Sequence, residues 1–231
     1  MLKTFVCSDR GPRAENQDFY CLVNSSDGLL AAVADGVGGN NGGEAASHFA
    51  IETLKEEIGR GATLEQCFEA AHLGLIAKAN NLPYLNGMAT TLTAINCIGS
   101  SLSGAHCGDS RAYILRRQGL KQLTNDHTEV ARLIAEGHLS KEEAVNYPRK
   151  NIITSALGTH KDLVVQSFQF DVLPADRLLL LTDGVYSLIT KREIQSLSAG
   201  ELRLEVYCEK LIEIVKGRGP TDNFTLLAIE F

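Results

Sequence analysis

The chain has 231 residues, 44% of them hydrophobic and 22% charged, which is close to the globular average and enough for a substantial buried core. That balance excludes an intrinsically disordered chain, a collagen-like repeat and a coiled coil. The net charge of −6 argues against a broadly basic nucleic-acid binder, which needs positive charge against phosphates. The basic pairs Arg116-Arg117, Arg149-Lys150 and Lys191-Arg192 are short and scattered, and they read as solvated surface.

The first thirteen residues lack the apolar core of a signal peptide. Strands are expected over 2–7, 17–24 and 29–34, the last being the longest purely apolar run and far short of the ~20 residues that span a bilayer. Helices follow over 42–59, with Ala46, Phe49, Ala50, Thr53, Leu54 and Ile58 on one face, and over 64–80, with Leu64, Phe68, Ala71, Leu75 and Ala79. Strands return over 89–98, 102–107 and 111–116, and the last two read as a hairpin. An amphipathic helix over 127–136, strands over 163–171 and 177–182, a helix over 202–216 and a strand over 223–230 complete the chain. Together they predict one α+β domain of packed, mainly antiparallel sheets covered by helices. The six cysteines, at 7, 21, 67, 97, 107 and 208, form no CxxC and no tight Cys/His cluster, so a zinc site is not expected and a reduced, cytoplasmic protein is.

The informative pattern is where the acidic residues fall. The apolar strand 29–34 runs into Asp35-Gly36, and Leu178–Leu181 with Thr182 runs into Asp183-Gly184. Asp222-Asn223 precedes the last strand, and Asp18 opens the second. Any one Asp-Gly reads as a turn. Four carboxylates at strand boundaries, brought to one sheet edge, repel one another, and a divalent cation relieves that repulsion. Oxygen-only ligation points to Mg²⁺ or Mn²⁺. The run 36–43 is glycine-rich and leads into a helix, but it lacks the Gly-Lys-Ser/Thr of a phosphate-binding loop. Arg13 stands five residues before Asp18, and arginine suits bidentate phosphate binding.

In this order the motifs resemble the metal-dependent Ser/Thr protein phosphatases, the PPM or type 2C family, bacterial members above all. The matching blocks are RAENQD (13–18), ADGVGG (34–39), GMATTLTAI (87–95), CGDSRAYIL (107–115), LTNDHT (123–128), NIITSALG (151–158), LLLLTDGVYSLIT (178–190) and TDNFTLLAI (221–229). The resemblance implies a single domain over 1–231, a four-layer αββα sandwich of two antiparallel sheets flanked by helices, with a flap segment at about 126–157. It implies that Asp35 bridges two Mn²⁺ or Mg²⁺ ions, with the Gly36 carbonyl, Asp183 and Asp222 on one side and Asp18 beside the other. Asp109 would help hold a third ion, Asn223 would orient the site, and Arg13 would clamp the substrate phosphate. Two ions ~3.5–4 Å apart activate a shared water for in-line attack on phosphorus without a phospho-enzyme. The implied partners are phosphorylated Ser/Thr proteins and a cognate Ser/Thr kinase pathway, with no nucleic acid, no membrane and a monomeric enzyme.

The chain departs from the family at four places. Gln17 stands where many members have Glu, the Gly11–Arg13 spacing is one residue short, Ala89 replaces a frequent Gly, and Val37 stands where animal enzymes carry a His. Two rivals have distinct signatures. Cys7 to Arg13 fits the Cys-x5-Arg of cysteine phosphatases, although no helix is indicated after Arg13. A phosphoprotein-binding relative without turnover is the other. His127 and His138, in the flap segment, read as surface histidines.

Overall fold

The computed structural model describes residues 2–25, 28–37, 42–198, 200 and 203–231; Gly38, Gly39, Asn40 and Asn41 of the glycine-rich run lie outside them. Strands β1 (Lys3–Asp9), β2 (Asp18–Ser25) and β3 (Gly28–Val37) are followed by helices α1 (Gly43–Gly59) and α2 (Leu64–Asn81). Then come β4 (Ala89–Thr90), β5 (Leu92–Ile98), β6 (Ser101–Cys107), β7 (Arg111–Arg116) and β8 (Gly119–Gln122), with α3 (Glu129–Ala135) and α4 (Lys141–Ala144). The chain continues through β9 (Gln166–Asp171), β10 (Arg177–Leu181), α5 (Asp183–Tyr186), α6 (Lys191–Ser198), α7 (Leu204–Gly217) and β11 (Phe224–Glu230).

The strands form two antiparallel sheets. One has the order β1-β11-β10-β7-β8, and the other β2-β3-β5-β6-β9 with β4 paired to β3. Period-two alternation divides the apolar residues between three buried layers. On β3, Leu29, Ala31 and Val33 face the other sheet, while Leu30, Ala32 and Ala34 face α1 and α2. On β10, Leu178 and Leu180 enter the layer between the sheets, while Leu179 and Leu181 pack under α6 and α7. The strands are apolar on both faces because both faces are covered, which gives the expected four-layer αββα architecture.

Four sequence expectations are corrected. Residues 102–107 and 111–116 are not a hairpin: β6 pairs with β5 and β9, whereas β7 pairs with β10 and β8 in the opposite sheet. Gly108, at φ +112, turns the chain across, and a Cβ there would sit 2.5 Å from the Thr91 side chain. Strand β3 does not stop before Asp35 but carries it and Gly36 inside the strand, because Gly36-Val37 pair with β4. Asp183 heads a helix instead of making a turn. On α1 the buried face is Ala46, Ser47, Ala50, Ile51 and Leu54, with Phe49, Thr53 and Ile58 at its margin. Among the described residues no helix is long and apolar enough to cross a membrane.

Leu180 is fully buried between the sheets. Leu180→Ala is expected to lower the unfolding free energy by about 2–5 kcal/mol, and Ile98→Ala, at an exposed site, by no more than about 0.5 kcal/mol. Urea denaturation of the two variants checks both.

Candidate active site

The backbone of Asp35 is locked before its side chain does anything. Its N–H donates to Thr91 Oγ1 at 3.0 Å, and its carbonyl accepts from Thr91 N at 2.8 Å and Thr90 Oγ1 at 2.9 Å. Directly across the β2–β3 ladder stands Asp18. Like charges at opposed positions destabilise a strand pair, so this register puts a repulsive pair at the head of the second sheet. Gly36 follows, with its N–H on the Gln17 carbonyl at 3.1 Å. A Cβ on Gly36 would lie 2.4 Å from the Gly43 carbonyl oxygen, so only glycine lets α1 start this close to β3.

Asp18 is buried below the cleft and not on its wall. Oδ2 accepts from Thr182 Oγ1 at 2.8 Å and Thr225 Oγ1 at 2.7 Å. Oδ1 is buried with no hydrogen-bond partner among the described residues. Burial first, and then the charges of Asp183 and Asp222, push the carboxyl up to about 7 against the two threonine donors.

The first sheet brings the other acids. Asp183 begins α5, with Thr182 extended before it. Gly184 follows because a Cβ there would meet the Asn223 carbonyl oxygen at 1.9 Å. Asp222 precedes β11; Oδ1 accepts from Asn223 N at 2.8 Å and Oδ2 from Arg13 Nη2 at 2.7 Å. Asn223 is a clasp: Oδ1 accepts from Gln17 N, and Nδ2 donates to the carbonyls of Arg10 and Glu15, each at 2.8 Å. Its three side-chain bonds seat the loop 10–17, Arg13 included, over the start of β11. Asp109 sits in the turn from β6 to β7 and is pushed up to about 7 by burial first, then by Asp183 and Asp126. Arg111 stacks on the Tyr186 ring, 3.7 Å from its centroid, and grips Asp126 with two nitrogens at 2.9 and 2.6 Å. The Tyr186 hydroxyl reaches Asp109.

These elements leave an open cleft of about 530 Å³. Arg13, Asp35, Gly36, Asp109, Asp183, Asp222 and Asn223 line it, so seven of the eight expected site residues meet there and Asp18 supports them from beneath. Asn151 and Ile153 form a wall from the segment 126–157, which is tied down by bridges Thr128↔Ile153 and Thr90↔Leu157. Arg13 differs from expectation in its present contacts: its guanidinium lies on Asp222 and the Thr221 carbonyl. His127 is also not a surface residue; its ring packs 4.9 Å from that of His106 and accepts from Gly108 N. Cys7 lies in β1, paired opposite Leu226, and burial pushes its thiol up, which is wrong for a thiolate nucleophile.

The acids fit a divalent cation. Burial, reinforced by neighbouring carboxylates, holds Asp35 well above the usual range and raises Asp183. The donors are all oxygen, and one buried oxygen lacks a partner. Among the described residues no three His, Cys, Asp or Glu side chains are set to hold a metal by themselves. A cation here would complete its shell with carbonyl oxygen and water, as Mg²⁺ does. Thr91, Thr182, Thr225 and Tyr186 are functional neighbours that the sequence reading passed over. For Thr225 a signal was present: it lies two residues beyond Asn223, on the same side of β11.

The family model for protein phosphatase 2C matches residues 9–219. The serine/threonine phosphatase stp of Listeria monocytogenes is 33% identical, in an alignment covering 96% of this chain and 93% of that protein. The solved serine/threonine phosphatase of S. agalactiae superposes with a TM-score of 0.90 at 28% identity, covering 100% of this chain and 99% of that one. The catalytic domain of the phosphatase PstP, solved in complex with two manganese ions, gives 0.83 at 32% identity, covering 99% and 97%.

The raised carboxyls fix a pH dependence. Asp18 and Asp109 keep their protons up to about pH 7 when folded but lose them near 3.8 when unfolded. Folding therefore takes up protons, and the stability present below the unfolded value is lost as pH rises through about 7. In EDTA, the melting temperature is expected to fall between about pH 5 and about pH 8, and Asp18→Asn to flatten that fall. Adding Mn²⁺ at the higher pH is expected to restore it. Thermal melts across pH check all three.

Proposed function

The chain belongs to the protein phosphatase 2C family of serine/threonine phosphatases, and we propose that it hydrolyses phosphoserine and phosphothreonine on proteins with two Mn²⁺ or Mg²⁺ ions held by Asp35, the Gly36 carbonyl, Asp183 and Asp222. The observation that carries this reading is the convergence of Asp35, Asp109, Asp183 and Asp222 on one cleft with Arg13 at its rim. Asp18 would act through water from below, its unpartnered Oδ1 being the acceptor. Asp109, on the opposite wall, would hold a third ion. Support for manganese is the solved relative that carries two of them.

When bound, the divalent cations lower the pKa of water and neutralise charge on the phosphoryl oxygens. The residues do the rest. Asp35 and Asp183 fix where attack begins, because the backbone of one is locked to Thr90 and Thr91 and the other heads a helix pressed against Asn223. Arg13 leaves Asp222 and takes the phosphate through its planar fork. Water attacks phosphorus in line: its oxygen forms the new P–O bond as the bond to the Ser or Thr oxygen breaks, one of its protons stays on the released phosphate and the other passes to solvent. The leaving oxygen takes its proton from water, since the wall residue Val37 offers no acid. Asn223 holds loop 10–17 in place throughout. The segment 126–157 would act as a flap, presenting Asn151 and Ile153 to the substrate chain. The substrates would be products of a Ser/Thr kinase in the cytoplasm, and the enzyme would work as a monomer.

The test is phosphate release from a phosphothreonine peptide, with Mn²⁺ and with EDTA. Turnover is expected only with metal, and Asp35→Asn is expected to lower kcat by at least about a thousandfold. Arg13→Ala is expected mainly to raise KM, by about tenfold or more. Near wild-type turnover in Asp35→Asn, or activity that resists EDTA, would overturn the two-metal assignment.

A further inference from the structure

At the end of the first sheet remote from the carboxylates lies a second open cavity, of about 740 Å³. It is bounded by the start of β1, the β7–β8 turn, the turn before β10 and the start of α7. Five cations line it, Lys3, Arg116, Arg117, Arg177 and Arg203, against two carboxylates. An excess of three positive charges runs against the −6 of the whole chain.

Both carboxylates are already used. Asp176, almost fully buried, takes Arg116 Nε at 3.0 Å, Arg116 Nη2 at 2.6 Å and Leu173 N at 2.8 Å. Glu230 takes Lys3 on one oxygen and Arg177 Nε on the other. Arg117 and Arg203 are exposed, and neither has a side-chain partner among the described residues. The two non-glycine residues with positive φ among the described residues, Arg117 at 56° and Ala175 at 69°, both line this cavity. Left-handed backbone is unfavourable for an L-residue and is kept where the surroundings impose it. Here it places Arg117 in the two-residue β7–β8 turn, next to its anchored neighbour Arg116 and at the lining of the cavity.

We propose that this cavity binds a phosphate monoester carried on a protein chain, a second phosphorylated residue of the substrate distant from the one being hydrolysed. The choice of a phosphorylated ligand rests on the phosphatase reading; the anion site itself does not. Two unpartnered guanidinium forks suit a tetrahedral dianion better than a lone carboxylate. The cavity is much larger than a free ion needs, and Leu173 at its rim, 47% exposed, offers an apolar contact to a peptide. The seven residues of β11 separate the two sites by roughly 24 Å at ~3.4 Å per residue. Two phosphates on one substrate must therefore be well separated in sequence to occupy both.

The test uses Arg117→Asn/Arg203→Ser, chosen to fold: Asn tolerates the left-handed region and Ser suits the N-cap position of α7. With Mn²⁺, a peptide bearing two phosphothreonines about 20 residues apart is expected to show a KM about fivefold or more below that of its singly phosphorylated form. The variant should lose that advantage with kcat, and the KM of the single form, unchanged. Equal KM values in the wild type, or an advantage retained by the variant, overturn the proposal. With EDTA, fluorescence anisotropy reads binding of the singly phosphorylated peptide without turnover, so it stands even if no hydrolysis is seen. Binding should survive Arg13→Ala and weaken about tenfold in Arg117→Asn/Arg203→Ser. Binding that follows Arg13 instead, equal binding of a peptide with Glu in place of phosphothreonine, or displacement by an equal concentration of inorganic phosphate each overturns it.

Discussion

Everything at the working end of this molecule follows from confining several carboxylates in little space. Asp18 and Asp35 oppose each other across β2 and β3, and Asp183 and Asp222 add charge from the other sheet. Each raises the proton affinity of the next, so the group is most at ease when protonated or when a cation lies among it. Among the described residues, no lysine or arginine bonds to Asp18 or Asp35. The protein supplies neutral donors, Thr91 to the backbone and Thr182 and Thr225 to Asp18, and leaves one oxygen of Asp18 without a partner. A buried ion pair would have occupied that oxygen, whereas here it stays open as an acceptor.

The geometry depends as much on backbones that touch as on side chains. Gly36 against Gly43 and Gly184 against the Asn223 carbonyl are approaches that no Cβ permits. Through them Asp35 of one sheet and Asp183 of the other reach the same cleft. All three side-chain bonds of Asn223 go to the loop that carries Arg13, so that loop and the start of β11 form one mechanical unit. The Arg111–Tyr186–Asp126 stack does the same for the other wall, joining Asp109 to the base of the segment 126–157.

Much of this was legible in the sequence. The double-faced apolar runs of β3 and β10, each reaching an Asp-Gly, announced two covered sheets and an acidic edge. The order of the eight motif blocks announced the family. What was not legible was non-local. Nothing near residues 102–116 says that β6 and β7 part into different sheets, because strand propensity carries no partner information. The short helix at Asp183 hides behind a dipeptide that favours turns, and the close approach that requires its glycine is to the Asn223 carbonyl, nearly forty residues away. The contact of Arg13 with Asp222 was hidden too, since it depends on a loop seated by a residue over two hundred positions distant.

The pairing of β1 with β11 has a consequence for the life of the chain. β1 is an edge strand whose partner in the sheet is β11, and the residues they join are more than two hundred apart. On a ribosome, β1 emerges long before its partner and waits, its hydrogen-bonding edge open, until residues 224–230 have been made. Asp222 and Asn223 arrive just before that stretch. A chain made only as far as residue 221 therefore lacks both an acid of the cleft and the clasp on loop 10–17. The sheet and the cleft are closed by one and the same stretch of chain.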